Sequence, residues 1–93
     1  PASLAEARRA YGRAFALWPA GRTDPGLNHE WGATLAQAGA LDSAAAIFRL
    51  QLAGPASSRA RGLRSLGHLA SWSGRHADAA ALFREAAINE RLA

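Results

Sequence analysis

The chain has 93 residues and no cysteine, which removes a disulfide framework and any thiolate metal site and leaves the redox compartment unassigned. It also has no lysine: all 11 of its Lys and Arg residues are arginine. β-Branched residues are few, and Gly and Pro are sparse outside a few punctuation points. Set beside abundant alanine, that balance favours helix over strand. No segment alternates with period two, so no sheet is expected. No apolar run is long enough to span a bilayer and no signal-peptide pattern is present. The chain is therefore expected to be soluble, in cytoplasm or periplasm. Its length suits one small domain, burying somewhat more than about 60% of its unfolded surface.

What is present begins with a formal charge of +4. Arginine pairs bidentately with carboxylate and phosphate. An all-arginine, alanine-rich composition also follows from a GC-rich coding sequence, so charge alone supports only a mild preference for acidic partners. Pro1 rather than Met opens the chain, inside a helical pattern. A piece of a longer protein is expected.

The strongest signal is an internal echo. Gly32, Gly39, Ala44, Ala45, Ala46, Phe48 and Arg49 return 35 positions later as Gly67, Gly74, Ala79, Ala80, Ala81, Phe83 and Arg84. Trp31/Leu66 and Ile47/Leu82 exchange one bulky apolar group for another. A self-match at this period in helix-forming composition marks a helical repeat.

Five helices fit the punctuation. Ser3 and Glu6 form a capping-box pattern, opening a helix that runs through Leu17 and stops at Pro19. Its apolar stripe is Leu4, Ala7, Tyr11, Ala14, Phe15 and Trp18. Residues 20–26 read as a loop in which Asp24-Pro25 suits an N-cap and first helical position. A second helix spans Gly26–Ala38, with Leu27, Trp31, Thr34, Leu35 and Ala38 inward and Gly39 as its left-handed end. Asp42 is expected to cap a third, carrying Ala45, Ile47, Phe48 and Leu52 and closed by Gly54-Pro55. Ser57 or Ser58 opens a fourth, with Leu63, Leu66, Gly67, Leu69 and Ala70 packed and Gly74 ending it. The fifth covers Ala77–Leu92, with Ala79, Leu82, Phe83, Ala86 and Ala87 inward. Connections this short make neighbours antiparallel hairpins.

Glycine inside a helix costs about 1 kcal/mol relative to alanine, so Gly32 and Gly67 need a packing reason. Their missing side chains are expected to let the partner helix approach closely, with Ala44 and Ala79 as counterparts. Phe48 and Phe83 would then fill the space between one hairpin and the next. Gly12 has no repeat partner.

In combination these residues resemble the tetratricopeptide repeat family. One unit carries Trp31-Gly32, Leu35, Gly39, Ala44, Phe48 and Pro55. The next carries Leu63, Leu66-Gly67, Ala70, Gly74, Ala79, Phe83 and Ala86. The opening helix matches a second half only, through Ala7, Tyr11, Ala14 and Pro19. The resemblance thus divides the chain into a partial repeat over 1–19, a loop at 20–26, and full repeats at 27–55 and 56–93. Asn28 replaces the usual bulky first residue of its unit, Leu35 and Ala70 stand where an aromatic is common, and Gln51 takes a usual alanine position. The step from Ala7 to Ala44 is 37 residues, which places a small insertion at 20–26. The implied fold is all-α, a right-handed α-solenoid of antiparallel helix hairpins.

By resemblance, the first helix of each hairpin lines a concave groove that binds a peptide or helix. Off the packed stripe lie Arg61, Arg64, His68, Ser71 and Trp72 in the last unit, and His29, Ala33, Ala36 and Gln37, with Glu30 nearby, in the one before. Arg61, Arg64 and His68 form one row on a helix face, suited to a carboxylate or acidic peptide. The alternative is a solvated arginine face. Trp31 is expected in the core and Trp18 over the 20–26 loop. Trp72, whose repeat equivalent is Gln37, is the binding hot-spot candidate; contact with flanking repeats is its rival role.

Catalytic, metal and cofactor sites are not expected. His29, His68 and His76 lack ligand spacing, and His76 with Asp78 sits at a helix start, where capping accounts for the pair. The leading expectation is a protein-binding scaffold within a multidomain bacterial-looking protein, in a setting such as exopolysaccharide export or secretion. It would take a protein or peptide rather than a small-molecule substrate. One alternative is an RNA-binding array like the pentatricopeptide repeats, favoured by charge but disfavoured by missing Asn or Asp at base-reading places. Another is a regulatory module attached to an enzyme such as a kinase. Exposed repeat ends would fray or self-associate.

Overall fold

The structure, a computed structural model, describes residues 3–93. Pro1 and Ala2, where the first expected segment begins, lie outside the described residues. The described chain is all-helical: α1 Leu4–Leu17, α2 Pro25–Gln37, α3 Leu41–Arg49, α4 Ala56–Trp72 and α5 His76–Leu92, with short 3-10 segments at Pro19–Thr23 and Leu50–Ala53 and no strand. It forms a slab of 35 × 29 × 17 Å. α4 and α5 pack together most extensively, α2 packs on α3, and α4 also lies against α3.

Helix ends follow the local chemistry at most places. Ser3 Oγ accepts the Glu6 N–H at 3.1 Å, and Asp24 Oδ2 accepts the Leu27 N–H at 2.8 Å with Pro25 leading the helix. Each side-chain oxygen satisfies a donor that the first helical turn leaves without a partner. α2 and α4 stop in the same way, 35 residues apart. Gly39 and Gly74 adopt φ of 84° and 78°, which glycine takes without the Cβ penalty. The next N–H turns back each time: Ala40 donates to the Leu35 carbonyl at 2.9 Å and Arg75 to Ala70 at 2.8 Å. Each is the six-to-one bond of a Schellman end.

Other expectations need correction. Residues 20–26 are not a plain loop, because Pro19–Thr23 winds into a 3-10 turn. Asp42 does not cap α3; the cap is Ala40 without a side-chain bond, and Asp42 sits in the first turn, where its charge suits the helix dipole. Neither Ser57 nor Ser58 opens α4, which starts at Ala56 after Pro55. Ser58 is buried and donates to the Gln51 carbonyl at 3.2 Å. α5 starts at His76 after an Arg75 cap without a side-chain bond, so capping accounts for neither His76 nor Asp78. α3 is shorter than expected, since the chain tightens into the 3-10 segment after Arg49. Ala38 and Ala87 face solvent rather than the interior.

Phe15, Trp31, Leu35, Ala44, Phe48 and Leu69 form the core. The interior glycines do serve close packing, but with different partners from those expected. A Cβ on Gly32 would run into the ring of Phe48, and one on Gly67 into the ring of Phe83. Each phenylalanine therefore seats in the notch of its own helix pair, and Phe48, as expected, also faces the gap toward the next pair, beside Ser65 and His68 of α4. The alanines at 44 and 79 are not what the notches receive. Asn28 is buried and donates to the Arg22 carbonyl at 2.8 Å, which ties the 3-10 turn to α2. Trp18 lies against Gly21, where a Cβ would meet the indole Cε3 at 2.9 Å, while half of the ring faces water.

Candidate binding groove

α2 and α4 meet side by side, and their meeting leaves a groove of about 180 Å³ lined by His29, Gln37, His68 and Trp72 together with Ala33, Ala36, Phe48 and Ser65. Four of the six expected groove residues thus converge. Helical spacing explains the convergence. His68 and Trp72 are one turn apart on α4, while His29, Ala33, Ala36 and Gln37 run along one face of α2.

Each side of the groove has a defined geometry. His68 stacks on Trp72 with ring centroids 6.2 Å apart and meets the edge of Phe83 at 5.1 Å. Trp72 remains 68% exposed, so the ring is steered by His68 yet available. Across the groove, His29 Nδ1 lies 3.2 Å from Ser65 Oγ, and its ring sits 5.9 Å from that of Phe48. Burial, and secondarily the nearby Arg61 guanidinium, hold the His29 pKa below the ordinary histidine value. A neutral imidazole can accept the Ser65 hydroxyl proton, whereas the imidazolium cannot.

The cationic row does not act as one unit. Arg64 turns to α5 and pairs with Glu90, and neither Arg61 nor Arg64 lines the groove. Arg61 is exposed and acts on His29 through its field. Glu30 also lies outside the lining. Of the tryptophans, Trp31 is buried and stacks on Tyr11 at 4.4 Å.

Two lining residues escaped the sequence reading. Ser65 is three residues before His68 and four before Leu69, so helical spacing alone would have placed it between groove and core. Phe48 reads from its sequence position as a packing residue, yet one side of its ring forms the groove wall. Among the described residues, no three His, Asp or Glu side chains gather as a metal centre would need. Neither a family model, nor a curated protein, nor a solved structure matches the chain.

Proposed function

We propose that this chain is a stretch of a tetratricopeptide-like array, stacked as a right-handed solenoid, that holds an extended protein segment in the groove between α2 and α4. The array reading is supported by two notch-and-ring pairs at equivalent repeat positions, Gly32 with Phe48 and Gly67 with Phe83, and by two identical helix ends at Gly39 and Gly74.

The binding reading rests on one observation above all: Trp72 is held by stacking on His68 at the lip of an apolar-floored groove while most of its surface faces solvent. Exposed, pre-positioned aromatics dominate protein interfaces because they bury large area at little entropic cost. His68 and the nearby Arg61 make the groove favourable to a carboxylate on the bound segment.

The test is a peptide array of acidic and neutral sequences probed with the full chain, followed by titration of the hits against Trp72→Ala and His68→Glu. Loss of at least about ten-fold in affinity for both variants, which is 1.4 kcal/mol, is the expected result. Unchanged affinity would remove the groove. Salt-sensitive binding of single-stranded RNA in a parallel titration would instead redirect the reading to nucleic acid.

A further inference from the structure

A second and larger hollow lies between α3 and α5, with α4 as its floor, and encloses about 760 Å³. Comparison of the two halves of the repeat explains why it is there. In the first half, the wedge between α1 and α3 over α2 is filled: Trp31 stacks on Tyr11, Phe15 and Leu35 are buried beside it, and Arg8 lies over the indole at 5.9 Å. In the second half four of the five equivalent places hold smaller groups, while Tyr11 becomes Phe48, a ring of similar size, at an offset of 37. Trp31 becomes Leu66 and Leu35 becomes Ala70 at an offset of 35, while Phe15 becomes Leu52 and Arg8 becomes Ala45 at the offset of 37 that relates α1 to α3. All four of these smaller residues line the hollow. The void is the volume that those truncations leave open.

We propose that this cleft receives an amphipathic helix of a partner protein, inserted between α3 and α5 with its bulky apolar side chains resting on Leu63, Leu66 and Ala70. Three observations select that occupant. The volume exceeds what a single ring would fill and falls in the range of formed binding pockets, about 300–1,000 Å³. Leucines of α3, α4 and α5 supply apolar surface on three sides, which suits side chains at i, i+3, i+4 and i+7 of a helix. Charges of both signs stand on the walls, Asp42 and Arg49 on α3 and Arg75, Asp78 and Glu85 at and along α5. None of these five is in a salt bridge among the described residues. A helix with a mixed-charge outer flank answers both walls, whereas a lipid chain would answer neither. The cleft is separate from the groove of His29 and Trp72 and shares none of its lining residues.

The test is selection of a displayed helical-peptide library on the full chain, with the enriched peptides measured against two variants. Leu66→Trp combined with Ala70→Leu restores the residues of the first half and closes the cleft. Ala45→Arg lays a long side chain across it, as Arg8 does over Trp31. Enriched peptides with an apolar 3–4 periodicity that lose at least about ten-fold in affinity for both variants, yet keep affinity for Trp72→Ala, support the proposal. The refilled variant should also melt at or above the temperature of the parent, which separates a closed cleft from a misfolded chain. Absence of enrichment, peptides indifferent to the refilled variant, or binding of dodecanoate in place of helical peptides would each overturn it.

Discussion

Replacing Gly32 with alanine is expected to destabilise the chain, although the same change stabilises an ordinary helix. In isolation, Gly to Ala inside a helix gains about 1 kcal/mol. At Gly32 the added methyl meets the Phe48 ring, with Cδ1 and Cζ both 2.8 Å away and Cε1 nearer still. Carbon atoms pack at about 3.5–4.0 Å, so the ring must withdraw by roughly 1 Å. Phe48 is 4% exposed and belongs to the central cluster with Trp31, Leu35 and Ala44; withdrawing the ring either disturbs that cluster or pushes it into the α2–α4 groove. Forced overpacking of this kind costs about 1–3 kcal/mol. After subtraction of the propensity gain, a net loss reaching about 2 kcal/mol remains. For a domain of this size each kcal/mol moves Tm by about 4–8 °C.

Two companions calibrate the measurement. Gly12→Ala, with nothing within 4 Å of the added Cβ, should show the propensity gain alone and raise Tm. Gly67→Ala should fall between them, because its clash is with Phe83 at 2.7–3.0 Å and Phe83 is only half-buried, free to swing outward. Thermal and urea melts by circular dichroism give the three values. Combining Gly32→Ala with Phe48→Leu should cost less than the sum of the two single changes, a coupling that a double-mutant cycle reads directly. A Gly32→Ala protein as stable as Gly12→Ala would refute the notch-and-ring reasoning.

Other expectations follow from single side chains. His29 has a lowered pKa, so the unfolded chain binds more protons at mildly acidic pH; its contribution is intact above the ordinary histidine value near 6.5 and declines as pH falls from there through the lowered one. His29→Gln should flatten that part of a stability-versus-pH curve. Gln51 is 2% exposed, donates from Nε2 to the Pro25 carbonyl at 2.7 Å and leaves Oε1 without a partner. Gln51→Ala should cost about 1–3 kcal/mol in urea melts, because it removes the bond to the Pro25 carbonyl and opens a void. Arg64→Ala breaks a half-exposed pair with Glu90 and should change stability by less than about 1 kcal/mol, with the small effect disappearing in high salt.

The helices were legible because their signals are local. Ser3, Asp24, Gly39 and Gly74 act on backbone groups within a few residues, so spacing alone locates them. The interior glycines were legible as notches, since nothing else accounts for glycine at equivalent helical places. What fills a notch depends on how two helices rotate about each other. One sequence cannot show that rotation, so periodicity alone does not reveal that Phe48 and Phe83 seat against Gly32 and Gly67. The groove was partly legible for the same reason. Helical periodicity placed His29, Gln37, His68 and Trp72 on outward faces, and the contact of α2 with α4 brought those faces together. It could not show that Arg64 would turn away, because Glu90 lies 26 residues along the chain on another helix.

Packing and recognition meet at Phe48. One part of its ring occupies the notch at Gly32, and another part walls the groove beside His29. The groove therefore has a wall made of core: its width is fixed by how deeply the ring seats, and seating depends on the missing Cβ. Phe83 has the same relation to Gly67 and touches His68 edge-on, but it is less buried. The ring that walls the groove on the α2 side is therefore enclosed more completely than its counterpart on α5.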